Sequence, residues 1–218
     1  MPNNAVCDFL YKSINSKINK GKYDLNHESF NVKHITECPR RISYRLYGFN
    51  PECNLVLQEK SLKYVKLKWV DLLSKCDGIT IVKSNFIAAD SNYNVHADID
   101  AIIKIKGKVF VLLVDSMDEE KYKLYKKTGG SRSQISHIIA SMWLTELSEG
   151  IILCENKITN QYFLSYVKLH NSILNAVKHK SQSMLTDKIL QKIPDRPYKD
   201  DTAKECQICE YKSECWKK

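Results

Sequence analysis

The sequence predicts an α/β fold, a central mixed β-sheet flanked by helices, with a cysteine-bound metal cluster joining the C-terminal tail to an early helix. Three observations carry this. Strand-like runs cluster in the middle of the chain, segments with a helical apolar period lie on either side of them, and three cysteines crowd into a short polar tail.

The opening segment to about Lys20 carries Val6, Phe9, Leu10, Ile14 and Ile18 at the spacing of one helical face, so residues 1–30 read as a helical addition. After a polar stretch, ITECPRRISYRLYGF reads as a short helix running from Cys38 toward Gly48, with a turn at Asn50-Pro51. KSLKYVKLKWVDLLSKC follows as a helix. It places Leu62, Val65, Trp69, Leu72 and Leu73 on one face and Lys60, Lys63 and Lys68 mainly elsewhere, and stops by Gly78. Strands are expected from Ile79, Val95 and Lys108, the last two joined by a tight turn at Lys106-Gly107, which suggests a meander. Residues 118–127 suit a charged helix, Gly129-Gly130 a break, and SQISHIIASMWLTEL a core helix closed by Gly150. GIILCEN and QYFLSYVKL read as two more strands. A helix from about Ile173 to Leu190 then leads through IPDRPYKDD to the tail, residues 194–218.

With 218 residues, 43% hydrophobic and 27% charged, the chain reads as one soluble globular domain with additions at each end, neither disordered nor collagen-like. No run approaches a membrane span and the start lacks a signal-peptide pattern, so an intracellular, cytoplasmic protein with no membrane association is expected. The net charge of +9, from 34 Lys and Arg against 25 Asp and Glu, leans toward phosphate backbones or another acidic partner.

In a reducing compartment the eight cysteines point to metal ligands or buried thiols rather than disulfides. Cys206, Cys209 and Cys215 sit in a tail too short for a core of its own. Three thiolates on a turn leave one corner of a tetrahedral or cubane site to be filled from elsewhere. Cys38, at the start of the CPRR helix where the positive helix end favours a thiolate, is the candidate for that corner. Spacing alone leaves zinc and iron–sulfur open. Cys7, Cys53, Cys76 and Cys154 read as plain buried thiols.

The order of these features (Cys38-Pro39-Arg40-Arg41, a strand bearing Asp100, a second strand, a helix bearing Gln134, then Cys-x2-Cys-x5-Cys) resembles the RecB-like exonucleases of the PD-(D/E)XK superfamily that carry an iron–sulfur cluster. These include the enzymes that accompany CRISPR adaptation and their phage-encoded relatives. The resemblance spans roughly residues 30 to 218. It implies a 4Fe-4S cluster on Cys38, Cys206, Cys209 and Cys215 and favours that over zinc.

Members of that family hold Mg²⁺ or Mn²⁺ between an Asp on one strand and the Glu of a Glu-x-Lys on the next, with the lysine helping to activate water. Here Asp100 matches the Asp, but Leu113 stands where the Glu belongs and Asp115 where the Lys belongs; in the shifted frame Met117 replaces the lysine. Lys66 stands where many members place a metal-binding His, Ala97 replaces a glycine, and Gln134 matches while Ile138 replaces a Tyr. One carboxylate beside an apolar residue holds a hard cation poorly, so a nuclease fold without nuclease activity is expected. The alternative is an unorthodox metal site. It would use Asp98, Asp100 and Asp115, helped by Glu119 or Glu120, with Asp98 and Asp100 on one strand face by the two-residue period. If active, the chain would be a Mg²⁺- or Mn²⁺-dependent DNA exonuclease with Asp100, Asp115 and Gln134 at its centre.

Three functions follow: a DNA-binding or assembly subunit of phage or mobile-element DNA metabolism, that exonuclease, or a protein-interaction subunit of a replication, recombination or transcription complex. Candidate phosphate contacts are Arg40, Arg41, Arg45, Lys63 and Lys66. His34, His96, His137, His170 and His179 show no paired metal spacing, and there is neither a glycine-rich phosphate loop nor a Ser-His-Asp pattern.

Overall fold

The computed structural model describes residues 29–49, 51 and 56–217, and builds them around one six-stranded sheet with helices on both faces. The expected opening helix with Val6, Phe9, Leu10, Ile14 and Ile18, and also Cys7, Asn50 and Cys53, lie outside the described residues.

The first strand, β1 (Phe30–Asn31), is two residues long and leads through a 3₁₀ turn at Val32–His34 into helix α1 (Pro39–Leu46). Pro39 opens that helix, where its fixed φ suits the first turn and its missing N–H costs no hydrogen bond. Helix α2 (Val56–Ser74) starts earlier than the sequence suggests. It turns Trp69 and Val70 inward with Val65 and Leu73 beside them, whereas Leu72, expected on that face, is exposed.

Strands β2 (Ile79–Asp90), β3 (Val95–Ile105) and β4 (Lys108–Met117) form the expected meander. Lys106 (φ 49°) and Gly107 (φ 85°) are both left-handed, the requirement of a two-residue type I′ hairpin turn. The chain then crosses over through α3 (Glu119–Thr128) and α4 (Arg132–Leu144) to β5 (Glu149–Asn156), which runs parallel to β4. Asp118 caps α3 through the Lys121 amide, and Ser131 and Gln134 form a capping box on α4. Gly150 does not close α4 as expected but lies inside β5. A Cβ there would stand 2.6 Å from Ile138 Cδ1, so the missing side chain lets the helix settle on the strand. Strand β6 (Tyr162–Lys168), antiparallel to β5, precedes α5 (Asn171–Ile189) and two short tail helices, α6 (Lys204–Gln207) and α7 (Lys212–Trp216).

The sheet order is β1-β3-β4-β5-β6, with β2 on the other edge of β3. The larger core fills the side covered by α1, α4 and α5, with Ile42, Val111, Leu113, Ile139, Ile152 and Val177 among its residues. The smaller one lies under α2, around Trp69, Ile103, Leu112 and Leu153.

Two features of this topology position the sites. β4 pairs with β3 only as far as Leu112 opposite Ala101, and β1 takes the same edge of β3 at Val95 and His96, so the strands part around Asp100. The tail also returns across the chain to α1, which brings its cysteines to Cys38.

Candidate functional site

At the parting of the strands, Asp100 is buried and fully engaged. Its Oδ1 lies 2.8 Å from Lys66 Nζ on α2, and its Oδ2 accepts the Val114 amide at 2.7 Å. Lys66 can reach because it shares a helical face with Trp69 and Val70, three and four residues on, which anchor α2 on the sheet. Burial pushes the Asp100 carboxyl up, more than the Lys66 charge and the Val114 amide pull it back. Leu113, one residue beyond the last β3–β4 pair at Ala101–Leu112, is buried in the larger core.

Asp115 is held separately. Its Oδ2 accepts from Gln134 Nε2 at 2.6 Å and its Oδ1 from the Ser116 amide at 2.8 Å. The other end of Gln134 accepts the Ser131 amide at 2.8 Å, so this one side chain caps α4 and ties it to β4. Its amide also reaches Cys154 Sγ at 3.4 Å, and burial with the nearby Asp115 charge pushes that thiol up to about 12, which keeps it protonated. Asp98 takes a different partner from Asp100, accepting from Asn31 Nδ2 at 2.7 Å. Glu119 is drawn to Asn156 and Lys123. Asp98, Asp100, Asp115 and Glu119, four of the five carboxylates considered for an unorthodox metal site, therefore go to four different sets of neighbours, and among the described residues no three His, Cys, Asp or Glu stand close enough to hold one ion.

The second region is the joint between α1 and the tail. Cys38, Cys206, Cys209 and Cys215 line one pocket, together with Arg40, Arg41 and Trp216 among others. Lining a common cavity, the four cysteines are donors of the soft type that would hold a thiolate-bound iron or zinc group, and among the described residues no three of them stand at the spacing of ligands to one ion. The surrounding guanidinium groups offset the negative charge that four thiolates would bring.

The protein itself also closes this joint. Glu210, buried between two of the cysteines in sequence, lies 2.5 Å from Arg41 and 2.7 Å from Arg45, and both arginines also approach Glu37. Burial works against the Glu37 charge, but the His34 hydrogen bond and the two arginines outweigh it and hold its carboxyl down at about 2. Arg40 donates to Pro194 O at 2.9 Å and to Tyr44 Oη at 2.7 Å, and Arg196 donates twice to the Cys215 carbonyl.

Of the expected phosphate contacts, Arg40, Arg41 and Arg45 are thus built into the joint and Lys66 into the sheet centre, while Lys63 is exposed on α2. Sequence reasoning missed Glu37, Glu210 and Glu155. The last is a buried carboxylate on β5 that accepts from Lys68 and from the Trp69 indole, and it turns Lys68 toward the sheet. Spacing does not mark Glu210 and Glu155, whose partners lie on distant elements, whereas Glu37 carried a local sign in Arg41 four residues on.

No family model matches the chain, nor does any curated protein sequence. Solved structures do match. The crystal structure of SSO0001 is 15% identical over 95% of this chain and 94% of that one, with a TM-score of 0.53. LHK-Exo in complex with dAMP, an alkaline exonuclease from Laribacter hongkongensis, is 10% identical over 78% of this chain and 93% of its own, with a TM-score of 0.59. A phage related exonuclease from Haemophilus somnus 129PT is 11% identical over 78% and 99%, with a TM-score of 0.52. The fold is exonuclease-like. Among the described residues no helix is long and apolar enough to cross a membrane.

Proposed function

We propose that this chain is an iron–sulfur protein on a RecB-like nuclease fold whose divalent-metal centre is silent, and that it serves as a DNA-binding or assembly subunit in phage or mobile-element DNA metabolism. The observation that carries the reading is the Lys66–Asp100 ion pair, with Leu113 of the next strand buried in the core. A metal-dependent nuclease needs two carboxylates converging on Mg²⁺ or Mn²⁺. Here an ammonium group already neutralises the carboxylate that stands in the Asp position of the exonucleases the sequence resembles, Leu113 stands in the Glu position, and Asp115 in the lysine position. The charges of the centre are redistributed so that it is satisfied without an ion.

Cluster binding is supported by the common pocket of Cys38, Cys206, Cys209 and Cys215. DNA as the ligand is supported by the net charge of +9 and by fold neighbours that act as exonucleases, one of them holding dAMP. A second reading, a Mg²⁺- or Mn²⁺-dependent exonuclease using Asp100 and Asp115, draws on one observation: the Asp115 charge is near enough to push the Asp100 carboxyl up.

The test is incubation of anaerobically purified protein with end-labelled single- and double-stranded DNA and either metal, beside Asp100→Ala. The expected result is no cleavage, with DNA retained at low salt and released as salt rises. Cleavage that Asp100→Ala abolishes would establish the exonuclease. Absence of DNA binding at low salt would leave a protein-interaction subunit.

A further inference from the structure

We propose that the chain pairs with a second copy of itself through β6, edge to edge and antiparallel, so that one sheet runs through both copies. Among the described residues β6 ends the sheet: it pairs with β5 on one side and with no strand on the other. The hydrogen bonds from Asn156 N to Gln161 O and from Leu169 N to Ser148 O, each 2.8 Å, mark the odd-numbered residues as those bonded to β5. Peptide groups alternate sides along a strand, so the N–H and C=O groups of Tyr162, Leu164 and Tyr166 point away from the sheet. Their side chains are open as well, 54%, 60% and 53% exposed.

Edge strands are usually blunted against pairing. The opposite edge, β2, shows how: a register shift between Ile81 and Lys83, a left-handed Asn85 (φ 49°) and an exposed lysine at 83. β6 has none of these. Its register with β5 is unbroken from Tyr162 to Lys168, with neither proline nor charge from Tyr162 to Val167.

The order of side chains specifies the occupant. The exposed positions read Tyr-Leu-Tyr in either direction, so a twofold axis through Leu164 sets Leu164 against its own copy and Tyr162 against Tyr166 of the second copy. The outward peptide groups of those residues then meet as hydrogen-bonded pairs, as an isologous contact requires. Lys168 falls opposite Asn160, which keeps the two lysines at opposite ends. A nucleic-acid strand stacking on the tyrosines is less well served, because the neighbouring Lys68 and Lys108 are drawn to Glu155 and Glu149.

Sedimentation equilibrium of the full chain from about 1 to about 100 µM, at low and high salt, tests this. The mass should rise from one chain to two, with little dependence on salt. Leu164→Lys sets two ammonium groups across the axis, and Leu164→Pro removes an outward N–H without touching the bonds to β5. Each should weaken association at least about tenfold while leaving circular dichroism unchanged. A single-chain mass throughout, or a dimer indifferent to both variants, overturns the proposal. So does a single-chain protein that loses binding to a labelled single-stranded oligonucleotide in Tyr162→Ala, an outcome that would assign the stripe to nucleic acid.

Discussion

The α1–tail joint and the sheet centre are both places where charged groups from distant parts of the chain meet, but they meet to different ends. In the joint, Arg41 and Arg45 of α1 close on Glu210, more than 160 residues away in sequence, and the four cysteines surround a shared pocket. Its charges hold two segments together beside the cavity that the cysteines line. In the centre, Lys66 closes on Asp100, and among the described residues no three His, Cys, Asp or Glu gather there for a cation. The topology that parts β3 from β4 is intact, so an exonuclease-like scaffold can keep its shape while a few side chains decide whether an ion is wanted.

The sharpest way to break that contrast is at the joint. Cys206→Ser should lose iron and sulfide on anaerobic purification and lower Tm by on the order of 10 °C, because a structural metal site contributes its binding energy to folding. A colourless wild-type protein holding stoichiometric zinc would overturn the cluster assignment.

Glu210→Ala should cost about 3 kcal/mol in urea unfolding, since it takes the buried carboxylate away from Arg41 and Arg45, which are only about a fifth exposed and then share Glu37. The loss should appear at any metal content, which would separate the polypeptide clasp from the cluster.

A pH profile comes next. Burial depresses His137 to about 3 from 6.5, and its Nε2 is buried without a hydrogen-bond partner. The unfolded chain therefore takes up a proton first as pH falls. Stability should drop between about pH 6.5 and 5 by on the order of 2 kcal/mol from this residue, and His137→Leu should flatten that part of the curve.

The smallest effect is expected at the centre. Lys66→Met should cost about 1–2 kcal/mol at pH 8 by leaving the Asp100 carboxylate buried without its cation, and less at pH 5. Protonation relieves the penalty, because a carboxyl raised in the folded state destabilises as pH rises above its unfolded value.

Most of the scaffold was legible in the sequence because its elements carry strong local signals: the Lys106-Gly107 turn, the alternation in β3, Pro39 at the head of α1. Where reading failed, tertiary contact had overridden a local sign. Gly150 looks like a helix stop but is a strand glycine under Ile138, and β1 is too short to have a period at all. Leu72 fits the apolar stripe of α2 yet lies at its exposed margin. At the centre, the substitutions at Leu113 and Asp115 could be read by alignment, and Lys66 as the residue in the histidine position. That Lys66 bonds Asp100 could not, since a helix and a strand separated by 34 positions share no spacing rule. The same limit hid Glu210, whose partners Arg41 and Arg45 lie on a helix remote in sequence, whereas the four-residue spacing of Glu37 and Arg41 was a local sign that went unread.

The most direct test of the proposal that the centre holds no divalent ion is a Mn²⁺ titration followed by electron paramagnetic resonance on the anaerobically purified protein. The account predicts no bound Mn²⁺ at about 100 µM metal, and the appearance of a site in the triple variant Lys66→His, Leu113→Glu, Asp115→Lys, which restores the family's ligand set. A stoichiometric Mn²⁺ site in the wild-type protein that vanishes in Asp100→Asn would contradict it.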